Sequence, residues 1–207
     1  DAAIAAAIAD CALDGGTVLF PMGQFRISTP IVLDGPVTLM GTYAPRWSYA
    51  STPRSSIRAA FGTFVGSAII HVRDQSISGA PSANNGGRLV NLSVDGGSYG
   101  SNIHGLYFEG LVRDWKVVDV DVSQTSGDGF LAEVGTGSGN PRGFTIKGLS
   151  IYSAASHGFR ATALNDSYLE DIVTVGNALR GFYLSSMGET KIVGSRAVFN
   201  ALEGLYI

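Results

Sequence analysis

A polar residue, a glycine and a large apolar residue recur as HGLYF at His104, DGFLA at Asp128, HGFRA at His157, RGFYL at Arg180 and EGLYI at Glu203. The glycines stand at 105, 129, 158, 181 and 204, so the steps are 24, 29, 23 and 23 residues. VGNALRGFYL from Val175 matches VFNALEGLYI from Val198 at six of ten positions. The long step contains EVGTGSGNPRG, residues 133–143, a Gly/Ser/Asn/Pro loop without hydrophobic period. A near-constant period in this range marks units that bury their apolar face against their neighbours.

Between the glycines lie VVDVDVS, GLSIYS and DIVTV, which alternate with period two and predict strands. Alternation puts Val118, Val120 and Val122 on one face and Asp119 and Asp121 on the other. Strands of four to six residues, three turns and about 23 residues per circuit describe a coil of a parallel β-helix, with equivalent strands pairing at ~4.8 Å. The recurring glycine implies a corner with positive φ or a close backbone approach, and Asn177 and Asn200 would stack as turn residues. A leucine-rich frame is not sustained, and the calcium-binding nonapeptide pattern fails because GTGSGN occurs once without its Asp.

The 28 glycines among 207 residues suit such frequent turns. Only 15% of residues are charged, the net charge is -3 and no block of like charges occurs, so neither nucleic acid nor an anionic membrane surface is an expected partner. Cys11 is the single cysteine, which closes no intrachain disulfide and is read as a small buried hydrophobe. No apolar run reaches the ~20 residues needed to cross a bilayer, and DAAIAAAIAD lacks the basic start of a signal peptide. The expectation is a soluble piece, without membrane insertion, whose coils continue beyond both ends.

At the N-terminus, Ile4, Ile8 and Cys11 share a helical face after a candidate N-cap at Asp1, and DGG at Asp14 ends the helix. TVLF, QFRI, PIVL and VTLM follow as short strands between PMG, STP and DGP turns. This run, AAIAAAI…GGTVLFPMGQFRISTPIVLDGPVTLMG, resembles the N-terminal frame of the pectate-lyase-like superfamily, which includes many bacteriophage tailspikes and tail fibres. The resemblance covers residues 1–41 in detail and 87–207 generically, and the Gly/Asp-rich segment usual before the helix is missing. It implies an all-β fold: a right-handed parallel β-helix with a short capping α-helix that hides the first coil's open edge. The expected division is a cap and first coils at 1–41, an excursion with a return strand at 42–86, and β-helix coils at 87–207.

Candidate chemistry falls in three places. Asp119 and Asp121, about 6.6 Å apart on an outward strand face, would suit inverting glycoside hydrolysis, although alternating Asp also simply keeps a strand face soluble. The residues before the repeat glycine, His104, Asp128, His157, Arg180 and Glu203, would form a column with ~5 Å between neighbours. That order is faintly similar to the polygalacturonase arrangement, which would make Asp128 an acid, His157 its partner and Arg180 a clamp on a substrate carboxylate. The paired aspartates and Arg-x-Lys signature of that family are absent, and a mixed-sign stabilising ladder is the competing reading. Tyr43, Arg46, Trp47 and Tyr49 in the excursion offer ring faces and guanidinium donors for sugar, or else packing. No metal site is read, because His71, His104 and His157 stand far apart in sequence, and no cofactor is expected.

The resemblance implies a phage tail protein that contacts bacterial cell-surface polysaccharide, with cleavage of that glycan by hydrolysis or elimination left open. It further implies a homotrimer located in the virion tail beside other tail proteins. The alternatives are a secreted polysaccharide lyase or glycoside hydrolase, and a purely structural β-helical spacer.

Overall fold

The computed structural model describes residues 1–12, 15–42, 54–74, 84–135 and 139–207. One helix, Ala2–Ala12, is followed by short strands that pair in parallel. Seven of them stack in chain order into one sheet: Ile31–Leu33, Ala68–Arg73, His104–Glu109, Phe130–Glu133, Phe159–Ala161, Phe182–Leu184 and Leu205–Tyr206. The twelve-stranded sheet runs in two tracks. One track passes from Gly16–Phe20 through Val37–Gly41, Arg88–Val90 and Lys116–Ser123 to Lys191–Val193, and the other passes from Gly23–Ile27 through Ser55–Ala59 and Ser93–Asp95 to Arg196–Val198. In its later part the chain visits the seven-stranded sheet, the first track and the second track in turn. There Phe159 pairs with Phe182 and Phe182 with Leu205, 23 residues apart, whereas Phe130 and Phe159 are 29 apart across the 133–143 loop.

The three walls enclose one apolar interior. Leu106, Phe108, Phe130, Phe159 and Phe182 point inward from the seven-stranded sheet, and Phe130 stacks on Phe159 with ring centroids 4.3 Å apart and planes 3° apart. Each such ring removed from water contributes about 1.5–3 kcal/mol. Trp115 is fully buried and donates its indole N–H to Asn84 Oδ1 at 3.2 Å, while the Asn84 amide donates to the carbonyls of Leu33 and Arg73. At the N-terminal end, Ile4, Ile8, Cys11 and Ala12 pack against this core. The carbonyl of Asp1 accepts from Ala5 N, but its carboxylate turns away from the helix to accept from the backbone and hydroxyl of Ser28.

One expectation is corrected at the junction of the two tracks. Asp119 lies in the left-handed region at φ 51°, as do Asn91, Gly148, Asp171 and Gly194 at the same corner of other coils. The corner breaks the alternation within Lys116–Ser123, so the fully buried valines are Val117, Val120 and Val122, and Val118 is half-buried. Asp119 therefore occupies the bend and Asp121 the strand beyond it, and the two do not share one continuous strand face. The repeat glycines are seated by close approach, since none of 105, 129, 158, 181 and 204 has positive φ.

Candidate functional site

The residues that precede the repeat glycines form a hydrogen-bonded column. Asp128 N donates to His104 Nδ1 at 2.9 Å, His157 N to Asp128 Oδ1 at 2.9 Å, and Arg180 N to His157 Nδ1 at 3.4 Å. Arg180 Nε lies 2.7 Å from Glu203 Oε2. His104, Asp128 and His157 are buried. Because the Nδ1 atoms of both histidines accept, the neutral rings carry their proton on Nε2. Burial lowers the pKa of both below the ordinary histidine value; the charge of Asp128 opposes this, and Arg160 adds to it. Asp128 Oδ2 lies 3.4 Å from His104 Nδ1 and 3.6 Å from an Arg160 guanidinium nitrogen.

Two further columns stand outward on the seven-stranded sheet, at the second and fourth residues after each repeat glycine. The second-residue column runs His71, Tyr107, Leu131, Arg160, Tyr183 and Tyr206 in strand register. The fourth-residue column places Arg73, Glu109 and Glu133 side by side. His71 stacks on Tyr107 with centroids 4.5 Å apart and planes 10° apart. Tyr183 stacks on Tyr206 at 5.2 Å, and the Arg180 guanidinium lies 4.3 Å from the Tyr206 ring centroid. Arg180, expected as a clamp, thus joins a platform of two tyrosines.

At the other end of the face the polar groups close into a cluster. The Tyr107 hydroxyl donates to Glu133 Oε1 at 2.7 Å, and His71 Nε2 lies 2.9 Å from Glu109 Oε2. Arg73 engages Asp34 through two bonds of 2.6 and 3.0 Å. Burial, the bond to Glu133 and the charges of Glu109 and Glu133 raise the Tyr107 pKa, so the phenol keeps its proton. Burial lowers that of His71 despite the bond to Glu109. Gly135 lets the chain cross Glu109, whose Cγ would stand 3.0 Å from a Cβ placed there.

The sequence-predicted residues divide accordingly. Asp128, His157 and Arg180 come together on this sheet, whereas Asp119 and Asp121 lie on the twelve-stranded sheet. Asp119 is half-buried and Asp121 buried. Tyr43, Arg46, Trp47 and Tyr49 lie outside the described residues. Tyr107, Glu109, Glu133 and Arg160 were not singled out by sequence reasoning, and His71 was weighed only as a metal ligand, though reading two and four places past each repeat glycine finds all but His71. The histidines are not remote from one another's surroundings: the rings of His71 and His104 lie 4.5 and 5.7 Å from that of Tyr107. Among the described residues, no three His, Cys, Asp or Glu side chains gather so as to hold a metal ion. A cavity of about 530 Å³ lies beside the helix, walled largely by Ile4, Ile8, Ile27, Pro30 and Ile31, with Asp1 and Asp34 also on its lining.

No protein-family model matches the chain, and no curated protein matches it in sequence. Among solved structures it is similar to the A-module of mannuronan C-5 epimerase AlgE6 from Azotobacter vinelandii, with TM-score 0.76 and 21% identity over 99% of this chain and 53% of that one. It is also similar to ORF18 of Geobacillus virus E2, with TM-score 0.70 and 14% identity over 95% of this chain and 38% of that one. The catalytic unit of a GH87 α-1,3-glucanase from Streptomyces thermodiastaticus matches with TM-score 0.60 and 18% identity over 100% of this chain and 39% of that one. The chain spans about half the length of the first of these and less of the others. At such identities the likeness is one of fold, and the fold is that of the parallel β-helix proteins.

Proposed function

We propose that the chain is a right-handed β-helix domain of a phage tail protein that holds bacterial surface polysaccharide along the outer face of its seven-stranded sheet. The observation that carries this reading is the outward row of Tyr107, Leu131, Arg160, Tyr183 and Tyr206, one residue per coil, with Arg180 over Tyr206. Arg160, Tyr183 and Tyr206 on successive coils at ~4.8 Å, with Tyr107 two coils before Arg160, give a long sugar chain apolar faces and paired donors at several points. A viral protein and two proteins named for polysaccharides share the fold, which supports both halves of the reading. The carboxylates of Glu109 and Glu133, in the neighbouring column, favour a second reading, a polysaccharide-cleaving enzyme of the same fold.

Affinity electrophoresis of the purified protein through gels cast with individual polysaccharides tests binding. The panel comprises alginate, α-1,3-glucan, and capsular and O-chain preparations from several bacteria. Retardation by at least one, weakened in Tyr183→Ala and Arg180→Ala, is the expected result. Equal mobility of wild type and both variants in every gel overturns it. The phage reading expects light scattering on the full-length protein to give a homotrimer, and a stable monomer removes the tail assignment while leaving the binding face.

A further inference from the structure

Glu109 and Glu133 are direct partners in parallel register, on neighbouring strands of the outer face. Like charges placed opposite each other in a sheet are destabilising. No cation lies between these two in register: Arg73, the cation beside Glu109, is held by Asp34 through two bonds. Their partners differ: Tyr107 donates to Glu133, and Nε2 of His71 shares a hydrogen bond with Glu109. The two rings are in turn stacked on each other. The next two coils carry Thr162 and Ser185 at this position, so the paired carboxylates belong to one place on the sheet and are not a solubilising pattern along it. One coil spacing, ~4.8 Å between strands, separates their backbones, which puts the ~5–5.5 Å carboxyl separation of retaining glycosidases within reach of the two side chains.

From this juxtaposition we infer that Glu109 and Glu133 form a hydrolytic centre that cleaves a glycosidic bond of the bound polysaccharide with retention of configuration; the inference rests on the binding face proposed above. Tyr107 holds the Glu133 carboxylate with its proton-bearing hydroxyl, which leaves Glu133 as the nucleophile. Glu109, which in its acid form donates to Nε2 of the neutral His71 ring, is the acid. In the first step a Glu133 oxygen bonds to the anomeric carbon and the exocyclic carbon–oxygen bond breaks. The leaving oxygen takes that bond's electron pair together with the proton of Glu109. In the second step water adds to the anomeric carbon and gives a proton to Glu109, and the bond to Glu133 breaks. The sum is one glycosidic bond and one water converted to two chain ends, with both carboxyl groups restored. Tyr107 and His71 are positioning residues in this scheme.

The test uses whichever polysaccharide of the panel retards the wild-type protein, and follows reducing ends, ultraviolet absorbance of unsaturated uronides, and the first-formed anomer by proton magnetic resonance. The expected result is new reducing ends without that absorbance and with the anomeric configuration retained. Glu133→Gln and Glu109→Gln each lower the rate about a thousandfold, while gel retardation and melting temperature stay close to wild type. Tyr107→Phe lowers kcat with little change in KM. If no polysaccharide is bound, the binding face and the hydrolytic centre fall together. A polysaccharide that is bound and left intact overturns the centre alone. Inverted product, unsaturated uronides, or full activity in Glu133→Gln also overturns it.

Discussion

Gly158 shows how one residue type serves two purposes in this chain. Its φ is ordinary, but a Cβ there would stand 2.7 Å from Asn177 Nδ2, 2.8 Å from the Gly181 carbonyl oxygen and 2.9 Å from Thr174 Cβ. Gly176 is the converse, at φ 64° with nothing within 4 Å of a built Cβ. Gly158→Ala must displace backbone of the next coil and is expected to cost about 1–3 kcal/mol. Gly176→Ala adds only left-handed strain, about 1 kcal/mol, and urea denaturation of the two variants should rank them in that order. The close-approach glycines were legible in sequence because the same contact, to the carbonyl oxygen of the next repeat glycine, recurs at Gly105, Gly129, Gly158 and Gly181. The corners were not, because Asn, Asp and Gly all serve at the bend of Asn91, Asp119, Gly148, Asp171 and Gly194, and at another corner even Phe199 stands at φ 53°. That variability is why VDVDV reads as one uninterrupted strand and Asp119 was assigned an outward strand position.

At the scale of the element, each strand is held to the next coil by side chains as well as by its ladder. Asn177 is 1% exposed; its Oδ1 accepts from Ala154 N at 2.9 Å, and its amide donates to Asn200 Oδ1 at 2.7 Å. Ser167 and Ser195 serve similarly, accepting from Phe144 N and Ile172 N of the preceding coil. Asn177→Ala leaves the Ala154 N–H buried without its acceptor, and the expected loss is about 1–3 kcal/mol, read as a lower midpoint in chemical denaturation. A midpoint unchanged from wild type would remove this ladder from the account of stability. The Asn177/Asn200 match is visible as a 23-residue repeat, so this contact could be anticipated. The outward columns are reached only by counting from each repeat glycine, which still misses His71. Tyr107, Leu131, Arg160, Tyr183 and Tyr206 share a position but not one residue type, and the partnership of His71 with Glu109 spans 38 residues. Only the pairing of coils shows that these side chains adjoin.

At the scale of the whole molecule, stacking coils puts His71, His104 and His157 on one wall and takes each partly out of water. His104 faces Asp128 and Glu133, which favour its cation, and Arg160 and His71, which oppose it; burial outweighs the carboxylates and the folded pKa falls. His157 faces Asp128, Arg160 and Arg180, and His71 faces Glu109, Asp34 and Arg73, with the same net direction. In the unfolded chain these rings titrate at about 6.5, so between the lowered folded values and that value the unfolded state binds more protons. Stability therefore rises with pH through that window, is fully present above it, and is lost as pH falls from about 6.5 toward the folded values. The melting temperature should drop as the buffer is taken from about pH 7.5 to about pH 5. Carboxylate titration adds to any such slope at its acid end, so one substitution is needed to separate the two. His104→Asn keeps an acceptor near the place of Nδ1 for Asp128 N while removing the ionisable ring. Its melting temperature should fall less over the same interval, and a slope equal to wild type would assign the acid sensitivity to groups other than this histidine.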